Sequence, residues 1–347
     1  MKHKMKVLVT AELDRPRIET LASDFEFEYA GYSIDRVVMS RESLKAAVAD
    51  KDVLICEYDT VDDEIFSAAT ELKLIVCCRG GVGSVVDLAS ARRHGVAVCN
   101  TAGRNANAVA DFILGYILDL TRNITLTNNL IHSKVLAGGE STKPSEYRDV
   151  VWGLGNESPF VRYRGRSINR ITLGVIGFGH AGRALAKKCA LLGMKVIVYS
   201  PHANRDNVPD YVVPVSLKEL IAVSDVVSVN CALNGKTVNM FDASLFAAMK
   251  RDAYFINTSR GEIVVEEDLA YALKTGQIAG AAIDVTREEP LPANSPLIGI
   301  PNLILTPHLG GSSDDVRMQG SEMVVKILVS WRDGRRLVNC VQERIEA

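Results

Sequence analysis

The sequence predicts two α/β units, each wound around a parallel sheet, and three observations lead there. The chain has 347 residues, more than one domain of roughly 100–200 residues requires and suited to two. Short β-branched runs alternate with helix-periodic segments in two separate series. Such alternation with short linkers means a parallel sheet covered on both faces. A long apolar helical segment then divides one series from the other.

The first series contains the strand-like runs MKVLVT (5–10), FEFEYA (25–30), DVLICEY (52–58), LKLIVCC (72–78) and GVAVCN (95–100). Between them RESLKAAVA, DEIFSAAT and SVVDLASARRHG carry helical spacing. The divider, residues 101–133, reads as one long helix that opens near Asn105 or Asn107, either of which suits an N-cap. It is apolar over more than one face, as a helix between two domains or two subunits would be. From Leu136 to Arg166 glycines and prolines break every pattern, and Tyr147, Trp152, Tyr163 and Arg164 stand among them. A loop of that length is either functional or a surface excursion. The second series runs ITLGVIG, KVIVYS, DVVSVN, AYFINTS, AGAAIDV and NLILTPH, again with helical segments between, and a last helix covers 315–336.

Composition excludes several classes of partner. Lys plus Arg number 40 and Asp plus Glu 42, a net charge of −2, so no broad positive field awaits a nucleic acid or an anionic membrane. No uninterrupted apolar run reaches the ~18 residues of a membrane span, and the stretch around Val7-Leu8-Val9 is too short for a signal-peptide core. The seven cysteines have no C-x-x-C spacing and the six histidines no paired metal-ligand spacing. They predict a reduced, cytoplasmic protein without a structural metal.

Gly177-Phe178-Gly179-His180-Ala181-Gly182 follows one strand directly and opens a helix. In that context GxGxxG is a dinucleotide fingerprint: the first glycine makes the tight turn and the second admits a pyrophosphate. The third lets helix and strand pack closely. His180 itself reads as a solvated turn residue. The next strand should end in an acid that binds the adenosine ribose; Ser200 stands there, with His202 and Arg205 beyond it. A neutral residue removes the repulsion toward a 2′-phosphate. NAD(H) is the first expectation, and NADP(H) stays open.

Three polar residues follow apolar strands: Arg260 in FINTSRG, Glu289 in AAIDVTREEPLP and His308 in LILTPHLGG. Each alone has an ordinary structural reading. Together they make a chemical set, because a histidine shuttles protons, a carboxylate fixes its tautomer and an arginine grips a carboxylate in a planar fork.

These motifs resemble the D-isomer-specific 2-hydroxyacid dehydrogenase family. GFGHAG, NTSRGEIVVEEDLAYALKTGQIAGAAIDV (257–285), EEPLP (288–292) and TPHLGG (306–311) carry the resemblance, with RGGVG (79–83) and NANAVAD (105–111) in the first half. It implies a Rossmann cofactor domain, residues 105–312, inserted into a flavodoxin-like substrate domain formed by 1–104 plus 313–347, with the active site in the cleft. It implies that Arg260 orients a small anionic 2-oxo or 2-hydroxy acid and that His308 exchanges a proton with the substrate oxygen, while Glu289 keeps the imidazole charged. Asp284 would bind the nicotinamide amide, and Thr258, Ser259 and Gly310 would add cofactor contacts. The backbone of Arg79, Gly80, Gly81, Val82 and Gly83 would receive the substrate carboxylate. The long helix would pack in a homodimer interface of the cofactor domain.

The chain departs from the family at Ser200, at Asn230 and Ala232 where His and Pro are common, and in a 79–83 turn one residue shorter than usual. The implied substrates are 3-phosphoglycerate, for which Arg104 and Arg164 are candidate extra cations, and glyoxylate or hydroxypyruvate. A different reading on the same fold is a cofactor-sensing, corepressor-like interaction protein.

Overall fold

The computed structural model describes residues 4–136, 155–156 and 158–343, and the chain divides into two compact units. Unit 1 is Met1–Asn105 with Ser312–Ala347, and unit 2 is Ala106–Gly311.

Unit 1 contains β1 (Met5–Val9), α1 (Arg15–Ile18), β2 (Phe25–Tyr29), α2 (Tyr32–Asp35), α3 (Arg41–Val48), β3 (Val53–Cys56), α4 (Asp63–Ala68), β4 (Leu74–Cys77), α5 (Leu88–Arg93) and β5 (Ala97–Asn100). β3, β4 and β5 are buried at every position, which is why they read as largely apolar runs. β2 is an edge strand, and FEFEY alternates between buried and open positions. Residues on successive strand positions feed opposite cores. Leu8, Leu54, Ile75 and Val98 pack under α3, α4 and α5; Val7, Val9, Ile55 and Val76 pack with Ile18 and with Val324, Ile327 and Leu328. Asp62 and Asp87 cap α4 and α5 through their side chains, each such cap being worth about 1 kcal/mol.

Unit 2 contains α6 (Ala106–Arg122), α7 (Ile124–His132), α8 (Pro159–Arg162), β6 (Thr172–Ile176), α9 (His180–Leu191), β7 (Lys195–Tyr199), β8 (Val212–Pro214), α10 (Leu217–Val223), β9 (Val226–Val229), α11 (Ala243–Ala247), β10 (Tyr254–Asn257), α12 (Glu266–Lys274), β11 (Gly280–Ile283) and β12 (Leu303–Leu305). Its parallel sheet has the order β12-β11-β10-β9-β6-β7-β8, the Rossmann arrangement. α6 and α9 cover one face through Ile113, Ile117, Leu185 and Cys189. α10, α11 and α12 cover the other through Leu220, Phe246 and Leu269. The chain then returns to unit 1 with α13 (Asp314–Arg332) and β13 (Cys340–Gln342). The sheet of unit 1 becomes β13-β5-β4-β3-β1-β2, the flavodoxin-like order with one added strand.

The structure corrects the sequence reading at four places. β13 pairs antiparallel with β5, so the first sheet is not wholly parallel. β8 is a short edge strand absent from the expected series, its Val212–Val213 pair being closed by Pro214. The long helix is two helices, because Asn123 adopts φ +56 between α6 and α7; asparagine tolerates that left-handed conformation better than most residues. Pro159–Arg162 forms a helical turn where no regular structure was expected. Tyr147 and Trp152 lie outside the described residues.

Candidate active site

The carboxyl ends of the unit 2 strands place the chemistry-bearing residues in a row. Along the order β12-β11-β10-β9-β6-β7 they are His308, then Asp284 and Glu289, then Thr258–Arg260, then Asn230, then the glycine loop, then Ser200. The strand order reverses between β6 and β9, where open α/β sheets bind ligands.

Gly177 has φ +95, and a Cβ there would lie 2.6 Å from the Cys231 nitrogen. A Cβ on Gly182 would lie 2.2 Å from the Gly177 oxygen, so this glycine lets α9 close onto the turn. A Cβ on Gly179 would meet nothing within 4 Å. Its backbone therefore faces open space at the N-terminus of α9, where unpaired N–H groups favour an anion. Phe178 is buried beneath the Arg183 guanidinium, 4.3 Å from the ring centre, and presents only its backbone. His180 is the exposed first residue of α9 and not a turn residue; Ala181 follows it, half-buried.

Two buried oxygens on this edge have no hydrogen-bond partner among the described residues, Thr258 Oγ1 and Asn230 Oδ1. Buried polar groups are rarely left unpaired, and these two, with the open Gly179, fit a bound dinucleotide. Ser200 is half-buried at the end of β7, while His202 and Arg205 beyond it are exposed.

The turn carrying Arg260 is fixed by Asn257. Its side chain accepts from Ser259 N at 3.0 Å and donates to the Arg260 carbonyl at 2.9 Å, and Ser259 Oγ donates to the Cys231 carbonyl. The Arg260 guanidinium is exposed; it donates to the Ser259 carbonyl at 2.6 Å and pairs with no carboxylate among the described residues. Gly261 follows it and packs directly on the backbone of Thr286 and Arg287, the stretch that leads to Glu289.

His308 Nδ1 lies 2.8 Å from Glu289 Oε2, and Thr286 N donates to Glu289 Oε1 at 3.2 Å. The carboxylate thus fixes one ring nitrogen and leaves Nε2 to face outward chemistry. Asp284 is only 1% exposed. Its carboxylate accepts Leu309 N at 2.8 Å, Gly310 N at 2.7 Å and the Thr306 hydroxyl. Sequence reasoning missed Asn257, Thr306 and Tyr116. The first two lay inside quoted motifs, but Tyr116 gave no signal.

In unit 1 the turn after β4 has the features of an anion cradle. A Cβ on Gly80, Gly81 or Gly83 would meet nothing within 4 Å. Val82 is buried and starts a 3-10 turn, Asn100 Nδ2 donates to the Gly80 carbonyl at 3.1 Å, and the Arg79 guanidinium stands 5.2 Å from the Tyr58 ring centre. Arg104 is not a spare cation, because Glu57 pairs with it in a buried contact. Arg164 lies beside Tyr163 and Phe160, in a groove of unit 2 lined also by Arg122 from the end of α6.

The family model for the "D-isomer specific 2-hydroxyacid dehydrogenase, NAD binding domain" matches residues 114–310. A glyoxylate reductase of Thermofilum pendens is 33% identical over 300 residues, spanning 85% of this chain and 82% of its own length. The glyoxylate reductase of Thermococcus litoralis is 32% identical over 347 residues, spanning 99% and 98%. Among solved structures, an NAD-complexed D-isomer specific 2-hydroxyacid dehydrogenase from Lactobacillus delbrueckii ssp. bulgaricus superposes with a TM-score of 0.78 at 21% identity, covering 97% of this chain and 100% of that one. That likeness is one of fold.

Proposed function

This chain belongs to the D-isomer specific 2-hydroxyacid dehydrogenase family, and from that premise we propose how its residues divide the work. The enzyme moves a hydride between a nicotinamide cofactor and C2 of a small 2-hydroxy or 2-oxo acid. When bound, the nicotinamide supplies or accepts that hydride. The chain's own residues position the partners and manage charge and protons.

Arg260 orients the substrate carboxylate and carbonyl; its guanidinium is exposed and free of any carboxylate among the described residues. His308 gives a proton from Nε2 to the C2 oxygen during reduction and takes it back during oxidation. Glu289, on Nδ1, stabilises the charged imidazole. The short Glu289–His308 contact at the end of adjacent strands is the observation that carries this assignment. The Gly80–Gly81 backbone receives the substrate carboxylate. The cofactor is held by Gly177–Gly182, Thr258, Ser259, Gly310 and the remaining lone pair of Asp284.

For the substrate we favour an unphosphorylated 2-oxo acid of the size of glyoxylate or hydroxypyruvate. The Glu57–Arg104 pair removes one of the two cations suggested for a phosphate group, and two of the relatives at 32–33% identity are named glyoxylate reductases. NADH is the first cofactor to test. Ser200, with His202 and Arg205, supports NADPH as a second reading.

Cofactor oxidation with NADH and NADPH against glyoxylate, hydroxypyruvate, pyruvate and 3-phosphohydroxypyruvate tests all of this. Turnover should fall by more than a hundredfold in His308→Ala with cofactor affinity retained; near-parental turnover would remove His308 from its role. A homodimer is proposed through α6 and α7, where Leu118, Ile124 and Ile131 remain exposed; a strict monomer in light scattering would refute it.

A further inference from the structure

A chain of polar groups in unit 2, buried at Tyr116 and Asp284 and half-buried at Thr306, leads from α6 to the loop of His308. Tyr116, 5% exposed on α6, hydrogen-bonds through its hydroxyl to Thr306 Oγ1, and Thr306 Oγ1 bonds to Asp284 Oδ1. The direction is fixed by chemistry. An ionised carboxylate only accepts, so Thr306 spends its one proton on Asp284 and must accept from Tyr116. The far side of Asp284 then holds the backbone of the loop. Oδ1 takes Leu309 N, Oδ2 takes Gly310 N, and the Asp284 carbonyl takes His308 N at 2.8 Å. Gly310 lies so near that a Cβ on it would be 3.0 Å from Oδ2.

His308 itself has φ +57. A residue with a side chain persists there only when its surroundings over-determine the conformation. The four hydrogen bonds to Asp284 from residues 306–310 do so, and the three made to its carboxylate depend on that group keeping one rotamer. Without the Thr306 hydroxyl, Oδ1 would lose a donor on a side chain that is itself buried.

We propose that Tyr116 and Thr306 are positioning residues for the reaction, orienting Asp284 so that it clamps the 306–310 loop and presents His308 to Glu289 and the substrate. The proposal rests on the assignment of His308 as the proton-exchanging group. It gives Asp284 a second task beside the cofactor: three of the roughly four acceptor positions of its carboxylate are used by the loop, and one remains on Oδ2.

The test compares Thr306→Val, Thr306→Ser and Tyr116→Phe with the parent, using glyoxylate or the best substrate of the panel. Valine keeps the shape of threonine and removes the hydroxyl; serine does the reverse. Thr306→Val should lower kcat by about 10–100-fold, the scale of a small misplacement at a reacting centre. KM and the dissociation constant of the reduced cofactor, read by fluorescence, should change far less. Thr306→Ser should recover most of the loss. The 15N shifts of the His308 ring should move in the valine variant, reporting a changed Nδ1 contact without reference to turnover. A packing role predicts the opposite order, with valine near-parental and serine impaired, and that result overturns the proposal. If Thr306→Val fails to fold, Tyr116→Phe decides, since it deletes one oxygen: unchanged kcat and unchanged ring shifts would overturn the relay. An inactive His308→Ala beside a fully active Thr306→Val sinks this inference alone; an active His308→Ala sinks the reading beneath it.

Discussion

Gly261 and Thr286 touch backbone to backbone: a Cβ on the glycine would sit 2.0 Å from the threonine carbonyl carbon. One contact therefore joins the turn bearing Arg260 to the segment bearing Glu289. Gly261→Ala must push the two apart, at a cost of about 1–3 kcal/mol of stability. Because Arg260 is adjacent, kcat/KM for the 2-oxo acid should fall at least tenfold at temperatures where the variant remains folded. Thermal melts and steady-state kinetics on the same sample check both halves; parental kinetics would show that the contact does not locate Arg260.

Glu289 is bound on both oxygens, by Thr286 N and by His308 Nδ1. Glu289→Gln keeps the size and a hydrogen-bonding oxygen but removes the charge that stabilises an imidazolium. Reduction should slow by about 10²–10⁴-fold, the usual reach of general acid–base catalysis, with cofactor affinity preserved. Parallel kcat and fluorescence titration would reveal it. A loss confined to KM would instead make Glu289 a substrate contact.

Ser200 ends β7 with His202 and Arg205 exposed just beyond. On the cofactor site proposed above, Ser200→Asp places a carboxylate where it would bind a ribose diol and repel a 2′-phosphate. The ratio of kcat/KM for NADH over NADPH should rise at least tenfold. An unchanged ratio would mean that another residue reads this end of the cofactor.

Asp225 gives a pH-dependent stability. Burial pushes its carboxyl up, but Thr172 N at 2.8 Å, Lys250 at 3.1 Å and Arg166 at 3.2 Å outweigh that and hold it below the usual carboxylate range. A depressed folded-state pKa stabilises the fold above the unfolded-state value, and the contribution is lost as pH falls through the folded value. Both cations are about one-third exposed, so screening limits the contribution to about 1–2 kcal/mol. Asp225→Asn should lower Tm at pH 7 by several degrees, and the gap to the parent should narrow below about pH 4. A gap constant from pH 7 to pH 3 would contradict the charge argument.

Most of the sheet framework is legible in the chain because buried parallel strands are written as solid apolar runs such as VLIC and LIVC. β8 and β13 escape that reading: Pro214 interrupts the apolar stretch around Val212–Val213, and β13 is the mixed triplet CVQ. The break at Asn123 has no glycine or proline to mark it; the Asp119 carboxylate, which accepts from Thr125 N and from its hydroxyl across the break, is a local mark that periodicity does not see. At the site, residue types after strands could be read, but the groups that hold them could not. Asn257 acts through backbone atoms within three residues, so its motif hinted at it. Tyr116 meets Thr306 across 190 positions of sequence, and periodicity sees Tyr116 as one more apolar residue of a helix face.

The strand order of unit 2 works as a ruler. From β12, which leads to His308, to β7, which leads to Ser200, the sheet counts five rungs, or about 24 Å at the ~4.8 Å spacing of hydrogen-bonded strands. Each rung is set by backbone bonds that side-chain changes leave alone. The end proposed to transfer the proton and the end proposed to read the cofactor's ribose are therefore separately adjustable. Sites beyond ~10 Å without shared partners combine additively. A cofactor switch written at Ser200 should leave the histidine's chemistry in tune.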